Sequence, residues 1–204
     1  MSTTVAAYQL VETDEGVRGR HTRIPLEDLG EGDVLIRVTH SSVNYKDGLA
    51  ATGRAPIARR LPLVGGCCAA GTVVEPGESG LPADTVVAVV GATLSEQHNG
   101  GYCEYLRVPA AWVVAVPEAF TSRQAAAIGT AGVTSAMAVV KLEDAGVTPE
   151  SGPIAVTGAS GGAGSLAVAL LAARGYEVTA LTGKPEAEDL LRDLGAANVA
   201  PRPD

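Results

Sequence analysis

Residues 154–165 read IAVTGASGGAGS, and no other stretch restricts the fold so tightly. Ile154, Ala155 and Val156 form a short apolar run of the kind that makes a buried parallel strand. The run breaks into a turn of small residues: Gly158, Ala159, Ser160, Gly161, Gly162, Ala163 and Gly164. Residues 165–173, SLAVALLAA, then have helical composition. A strand, a glycine turn and a helix in that order make the first unit of a dinucleotide-binding fold. Gly158 can take backbone angles closed to other residues. Gly161 and Gly162 place no side chain in the way of a pyrophosphate, and Gly164 lets the helix press close to the strand. The helix N-terminus offers free N–H groups and a positive dipole end to phosphates. The pattern predicts a chain that binds NAD(P).

The residues that follow narrow the cofactor. Residues 177–182, EVTALT, predict a second apolar strand, which runs into Thr182-Gly183-Lys184. An NAD enzyme usually has an Asp or Glu at this point to hold the ribose 2′-OH. A Thr hydroxyl and a Lys charge suit a 2′-phosphate instead, so NADPH is the expected cofactor. A further helix is expected over 185–194, with Pro185 at its start and Gly195 past its end. Asn198-Val199-Ala200 starts a third strand. This half therefore reads βαβαβ.

The N-terminal half reads differently. Short strands are expected at residues 5–8, 33–39, 71–75, 85–90, 105–108 and 112–116, separated by Gly/Pro turns. The strand at 33–39 alternates as if one face were buried. Such a series predicts a small β-barrel or sandwich. Two helices, starting at Thr121 and Thr134, follow. The expected organisation is α/β: a β-barrel domain over 1–123, then the first half of a dinucleotide-binding domain over 124–204.

Composition excludes several function classes. The net charge is −8 and no basic cluster stands out, which disfavours nucleic acid as a partner. An anionic ligand must then be held by local N–H groups and single Lys or Arg side chains. No apolar run reads as long enough to span a membrane, and the first residues lack the basic and apolar regions of a secretory signal. The cysteines number three, two of them adjacent at Cys67 and Cys68, with Cys103 apart. An odd count argues against a disulfide framework, and a reducing cytoplasm is the simplest setting. With His21, His40 and His98 they are the candidate metal ligands, but no CxxC array is present and no metal site is expected.

SSVNYKD (42–47 with Ser41), NGGYCEYLRVPAAWVVAVPE (99–118), AAAIGTAGVTSAMAV (125–139), LEDAGV (142–147) and VTGASGGAGS (156–165) occur in this order. Together they resemble the medium-chain dehydrogenase/reductase superfamily, in its zinc-free quinone-oxidoreductase branch. NYKDGLAATGR, GTAGVTSAM, LEDAGV and VTGASGGAGS are similar to the acrylyl-CoA reductase group in particular. The resemblance implies a GroES-like β-barrel joined to a Rossmann domain, and NADPH-dependent reduction of an activated C=C bond. Hydride goes to the β-carbon of a small-molecule enoyl thioester or quinone-like substrate, and the α-carbon takes a proton. It implies Asn44 and Tyr45 at the nicotinamide end, as the catalytic pair. It implies Ser160, Gly161, Gly162 and Ala163 at the pyrophosphate, and Thr182, Gly183 and Lys184 at the 2′-phosphate with Arg202. Tyr45 and bulk water both remain open as proton donor. A homodimer is also implied.

Two departures from that pattern matter. Residues 63–71, LVGGCCAAG, stand where relatives have a Pro-Gly-x-Asp-x-x-Gly run, so the Pro and the acid are absent and two thiols are present. The chain also stops where relatives run on, which reads as a fragment or a truncated product. A non-catalytic NADPH-binding or interaction protein is therefore the competing expectation, and a zinc alcohol dehydrogenase relative the third.

Overall fold

The computed structural model describes residues 3–202. The chain divides into two compact units, one ending at Thr130 and the other starting at Ala131.

The first unit is built on two antiparallel sheets. Strand β1 (Thr4–Thr13) turns tightly into β2 (Gly16–Pro25), and β4 (Leu63–Val64) pairs on its other side. The second sheet has the order β7-β3-β5-β6-β8, from Tyr105–Val108, Val34–His40, Cys68–Glu75, Val86–Val90 and Val114–Ala115. A bridge between Ala7 and Cys103 joins the sheets: the Tyr8 N–H donates to the Tyr102 carbonyl at 2.8 Å, and the Glu104 N–H to that of Ala6 at 3.1 Å.

The expected single buried face of β3 is corrected. Val34 and Ile36 point into one core with Val73, Val87, Val89 and Leu106, whereas Leu35 points into another with Val5, Leu29 and Val64. Side chains alternate along a strand, so an unbroken Val-Leu-Ile run supplies both cores. Burying each such side chain contributes about 1.5–3 kcal/mol.

Other differences have local causes. Strand β2, GVRGRHTRIP, is absent from the sequence-based reading because its apolar residues do not alternate. It is a sheet edge whose arginines face solvent, a pattern that resists edge-to-edge pairing. Gly19 fits there because Tyr8 lies over it; a Cβ would stand 2.3 Å from the Tyr8 hydroxyl. The strand expected at 112–116 shrinks to β8, because Ala110–Trp112 winds into a 3-10 turn after Pro109. Helix α1 (Tyr45–Thr52) begins within the SSVNYKD segment.

Helix α2 (Ser122–Asp144) breaks at Gly129, whose φ of 43° and ψ of −150° are not helical. The two expected helices are its two arms. The units divide after this kink, later than the expected 123/124, because residues 122–130 bond within the first unit. The Thr39 hydroxyl donates to Ser122 Oγ (3.1 Å), and Thr130 Oγ1 lies 3.5 Å from Cys67 Sγ. By length and composition α2 is apolar enough to cross a membrane, at mean hydropathy 1.5, which corrects the expectation that no run is. The kink leaves residues 130–144 as a straight arm of roughly 22 Å at about 1.5 Å per residue. That is short of the ~30 Å hydrocarbon layer.

The second unit holds a parallel sheet of order β11-β10-β9, from Asn198–Pro201, Val178–Thr182 and Ile154–Thr157. Helix α3 (Gly162–Ala173) connects β9 to β10, and α4 (Glu188–Asp193) connects β10 to β11. Val168, Leu171, Tyr176, Val178, Ala180 and Leu191 form the core. Strand β10 is central. Strand β9 is the other outer strand of these three: Ile154 and Val156 are half-buried while Ala155 and Thr157 are exposed. Its solvent-facing side alternates with its packed side, as a strand with one covered face requires.

Candidate functional site

In the second unit, the expected phosphate-binding residues lie at the carboxyl ends of β9 and β10, with Arg202 at the end of the neighbouring β11. Gly158 follows β9 with φ +60°, where an L side chain is strained. Ala159 turns inward, fully buried, and its N–H donates to the Leu181 carbonyl at 3.1 Å. The Gly161 N–H closes back on the Gly158 carbonyl at 2.9 Å, and Gly161 caps α3 in an extended conformation. Helix α3 therefore starts at Gly162, three residues before the expected Ser165. Its start lies inside the glycine turn, and the N–H groups of its first turn have no intrahelical acceptor. Gly164 is the close-packed glycine: a Cβ there would stand 2.2 Å from the Gly158 carbonyl oxygen. Gly161, Gly162 and Ala163 are exposed at the turn's outer surface.

The end of β10 adds side chains to this turn. Ser160 Oγ and Thr182 Oγ1 are 2.8 Å apart, and the Lys184 N–H donates to Thr182 Oγ1 at 3.1 Å. Thr182 is buried, so its hydroxyl ties the two turns together, while Gly183 and Lys184 are exposed. The Arg202 N–H donates to the Thr182 carbonyl at 3.2 Å, which places Arg202 beside the same strand end, exposed. The unit thus presents free N–H groups, a hydroxyl and two cations at one edge, with no carboxylate at 182–184.

In the first unit, Asn44 and Tyr45 sit at the start of α1. Asn44 caps the helix in a reciprocal capping box with Asp47, and Gly53 ends the helix at φ +66°. The Asp47 carboxylate, only 4% exposed, accepts the Asn44 N–H at 2.9 Å and the Cys67 N–H at 3.1 Å. Tyr45 is the opposite: it is 85% exposed, on the first residue of the helix.

Around Asn44 is a polar cluster for which sequence reasoning identified only the two thiols. The Asn44 amide nitrogen lies 3.3 Å from Ser42 Oγ, 3.2 Å from Asp47 Oδ2 and 3.2 Å from Cys67 Sγ. Ser42 Oγ is 2.9 Å from Cys68 Sγ, and the Ser41 hydroxyl donates to the Cys68 carbonyl at 2.6 Å. The Tyr102 hydroxyl donates to the Ser42 carbonyl at 3.1 Å. Both thiols are buried and unbridged. A hydrogen bond from Cys67, and then others from Ser42 and Ser41, lower the Cys68 thiol to about 6. Cys67 moves the other way, raised first by its bond to Cys68 and then by burial. Burial, then the Asp47 charge, pushes the Tyr102 phenol up. The spacing Asn44-x-x-Asp47 is a readable capping signal; nothing local in the sequence announces Tyr102.

The histidines lie elsewhere. His98 sits between the Glu31 carbonyl (Nε2, 2.7 Å) and that of Asn99 (Nδ1, 3.0 Å), and His40 contacts Thr39 and Ser122. Among the described residues no group of three or more His, Cys, Asp or Glu is arranged to hold a metal ion.

The model of the alcohol dehydrogenase GroES-like domain matches residues 30–118. The acrylyl-CoA reductase of Ruegeria pomeroyi is 45% identical over 180 residues, covering 88% of this chain and 54% of that protein. The structure of the yhdH oxidoreductase of Salmonella enterica, a complex with NADP, superimposes at a TM-score of 0.93 and 41% identity, over 97% of this chain and 61% of that one. Over most of its length the chain is thus similar to oxidoreductases of the medium-chain dehydrogenase/reductase superfamily. Its homologues include acrylyl-CoA reductases and quinone oxidoreductases. The Bacillus subtilis yhfP structure, solved with NAD bound, also superimposes at 0.93 with 41% identity, over 98% of this chain and 61% of that one. The chain spans between half and two thirds of the length of these relatives.

Proposed function

We propose that the chain carries the NADPH site, and part of the substrate site, of an oxidoreductase that reduces a C=C bond conjugated to a carbonyl or thioester. An acryloyl-CoA-like thioester is the lead substrate. The observation that carries the reading is the 158–164 turn, whose exposed glycines cap α3 beside a β10 end holding Lys184 and no carboxylate.

The residues present fit the cofactor. The first-turn N–H groups of α3 suit a pyrophosphate, and Gly161 and Gly162 leave it room. Ser160, the Gly183 backbone, Lys184 and Arg202 suit a 2′-phosphate, with Thr182 holding the Ser160 and Lys184 turns in place. NADPH held there would supply the hydride that the β-carbon takes. Asn44, oriented by its neighbours, binds at the nicotinamide end. Tyr45 presents an exposed hydroxyl that can give the α-carbon its proton, a role that bulk water can share. The chemistry is read as zinc-independent, because Asp47 is committed to two backbone N–H groups and Asn44 to its three acceptors.

The test is NADPH oxidation with acryloyl-CoA and with a benzoquinone, beside an NADPH titration. Turnover of the thioester supports the reading. Turnover of the quinone alone assigns the quinone-reductase alternative suggested by the homologues. Binding without either turnover assigns a cofactor-binding role alone. No binding overturns the proposal.

A further inference from the structure

The thiol pair in the first unit is used by nothing above, and its contacts lead to Asn44. The Asn44 amide has two hydrogens and three acceptors in reach: Ser42 Oγ, Asp47 Oδ2 and Cys67 Sγ. Asp47 Oδ2 already accepts the Asn44 backbone N–H. Once Ser42 Oγ accepts from Asn44, its own hydrogen remains, and Cys68 Sγ at 2.9 Å is where it can go. The rest of the cluster holds this chain of contacts in place. Tyr102 fixes the Ser42 carbonyl and Ser41 fixes that of Cys68. Gly129 lies over it without a side chain, since a Cβ there would stand 2.8 Å from Ser42 Oγ and 3.6 Å from Cys68 Sγ.

We propose that Cys68 is a positioning residue for Asn44: its sulfur takes the Ser42 hydroxyl hydrogen, which turns the Ser42 oxygen toward the Asn44 amide and fixes that amide's orientation. Its importance for the reaction rests on the placement of Asn44 at the nicotinamide end. A sulfur that accepts from Ser42 and Cys67 is best stabilised as the thiolate. The titratable groups facing the pair are Asp47 from α1 and Tyr102 from the loop before β7. Asp47 disfavours a second charge on Cys67, so one thiolate per pair is the expected state.

The experiment follows the Asn44 side-chain amide signals of the 15N-labelled chain by NMR as pH is varied, assigned by their loss in Asn44→Ala. In the native chain they should move with a midpoint near pH 6, the range to which Cys68 is lowered. In Cys68→Ser, which keeps an acceptor that does not ionise, they should stay ordered and stop titrating in that range. In Cys68→Ala they should collapse toward the shifts of a free amide. Cys68→Asp should restore ordering, with the midpoint moved to lower pH. The NADPH affinity of the native chain is measured in parallel. Amide signals that ignore pH in the native chain, or that are the same in Cys68→Ala, overturn the proposal. Loss of NADPH binding in the native chain with a normal Asn44 titration overturns the cofactor reading and leaves the positioning intact.

Discussion

Gly164→Ala should damage the second unit more than any other single-methyl addition in the glycine turn. The added Cβ would stand 2.2 Å from the Gly158 carbonyl oxygen and 2.8 Å from Ala159 Cα, and both neighbours are backbone. Ordinary carbon contacts are about 3.5–4.0 Å, so α3 must withdraw from the turn by roughly 1 Å or more. That movement strains the Ser165 N–H bond to the Gly161 carbonyl, 2.9 Å, and opens the packing of Val168 and Leu171 against β10. Overpacking of this kind costs about 1–3 kcal/mol, equivalent to roughly 2–12 °C in a chain of this size. Gly162→Ala is the matched control. Its Cβ would meet Ala131 Cβ at an ordinary 3.6 Å, on a residue already helical, so stability should stay within about 0.5 kcal/mol. Urea titrations of both variants by circular dichroism decide the matter. If Gly164→Ala unfolds at the same urea concentration as Gly162→Ala and the native chain, the close approach of α3 to the turn is refuted.

Other expectations follow from the same geometry. Gly158→Ala should lose about 1–2 kcal/mol from backbone strain alone, since φ is +60° and no neighbour lies within contact distance of the new methyl; a denaturation curve unchanged from the native one would contradict this. Asp47→Asn turns one of two buried acceptor oxygens into an NH2 that cannot accept, leaving one of the two backbone N–H groups without its partner, and should cost about 1.5–3 kcal/mol in thermal denaturation. Tyr45→Phe should leave stability within about 0.5 kcal/mol because the side chain is exposed, and a fall in NADPH oxidation without a fall in stability would identify the hydroxyl as the proton source. The lowered Cys68 implies a pH dependence. Stability drawn from its thiolate is present above the ordinary thiol range and is lost as pH falls through about 6, so acid unfolding near that pH should become shallower in Cys68→Ser.

How far the sequence could be read depended on whether each signal was local. The glycine turn, the acid-free Thr182-Gly183-Lys184 and the parallel strands are local patterns, and the structure sets them at one sheet edge. The kink in α2 was legible as two helices because Gly129 interrupts a run of helix formers. Strand β2 was not legible: its stability comes from pairing with β1, a nonlocal interaction, and its own residues read as a charged loop. The Asn44 cluster was partly legible. Asn44 and Asp47 make a capping signal three residues apart, but the meeting of Ser42, Cys68 and Tyr102 depends on three separate segments.

The central claim is that the turn at 158–164 and the end of β10 bind NADPH through its 2′-phosphate. Fluorescence titration with NADPH and with NADH tests it most directly, in the native chain and in Lys184→Ala. One or two charge-assisted hydrogen bonds to the phosphate, at about 1.5–3 kcal/mol together, predict a preference for NADPH of roughly 10- to 150-fold, largely lost in Lys184→Ala. Equal affinity for the two cofactors, or a preference that survives the substitution unchanged, would contradict the account.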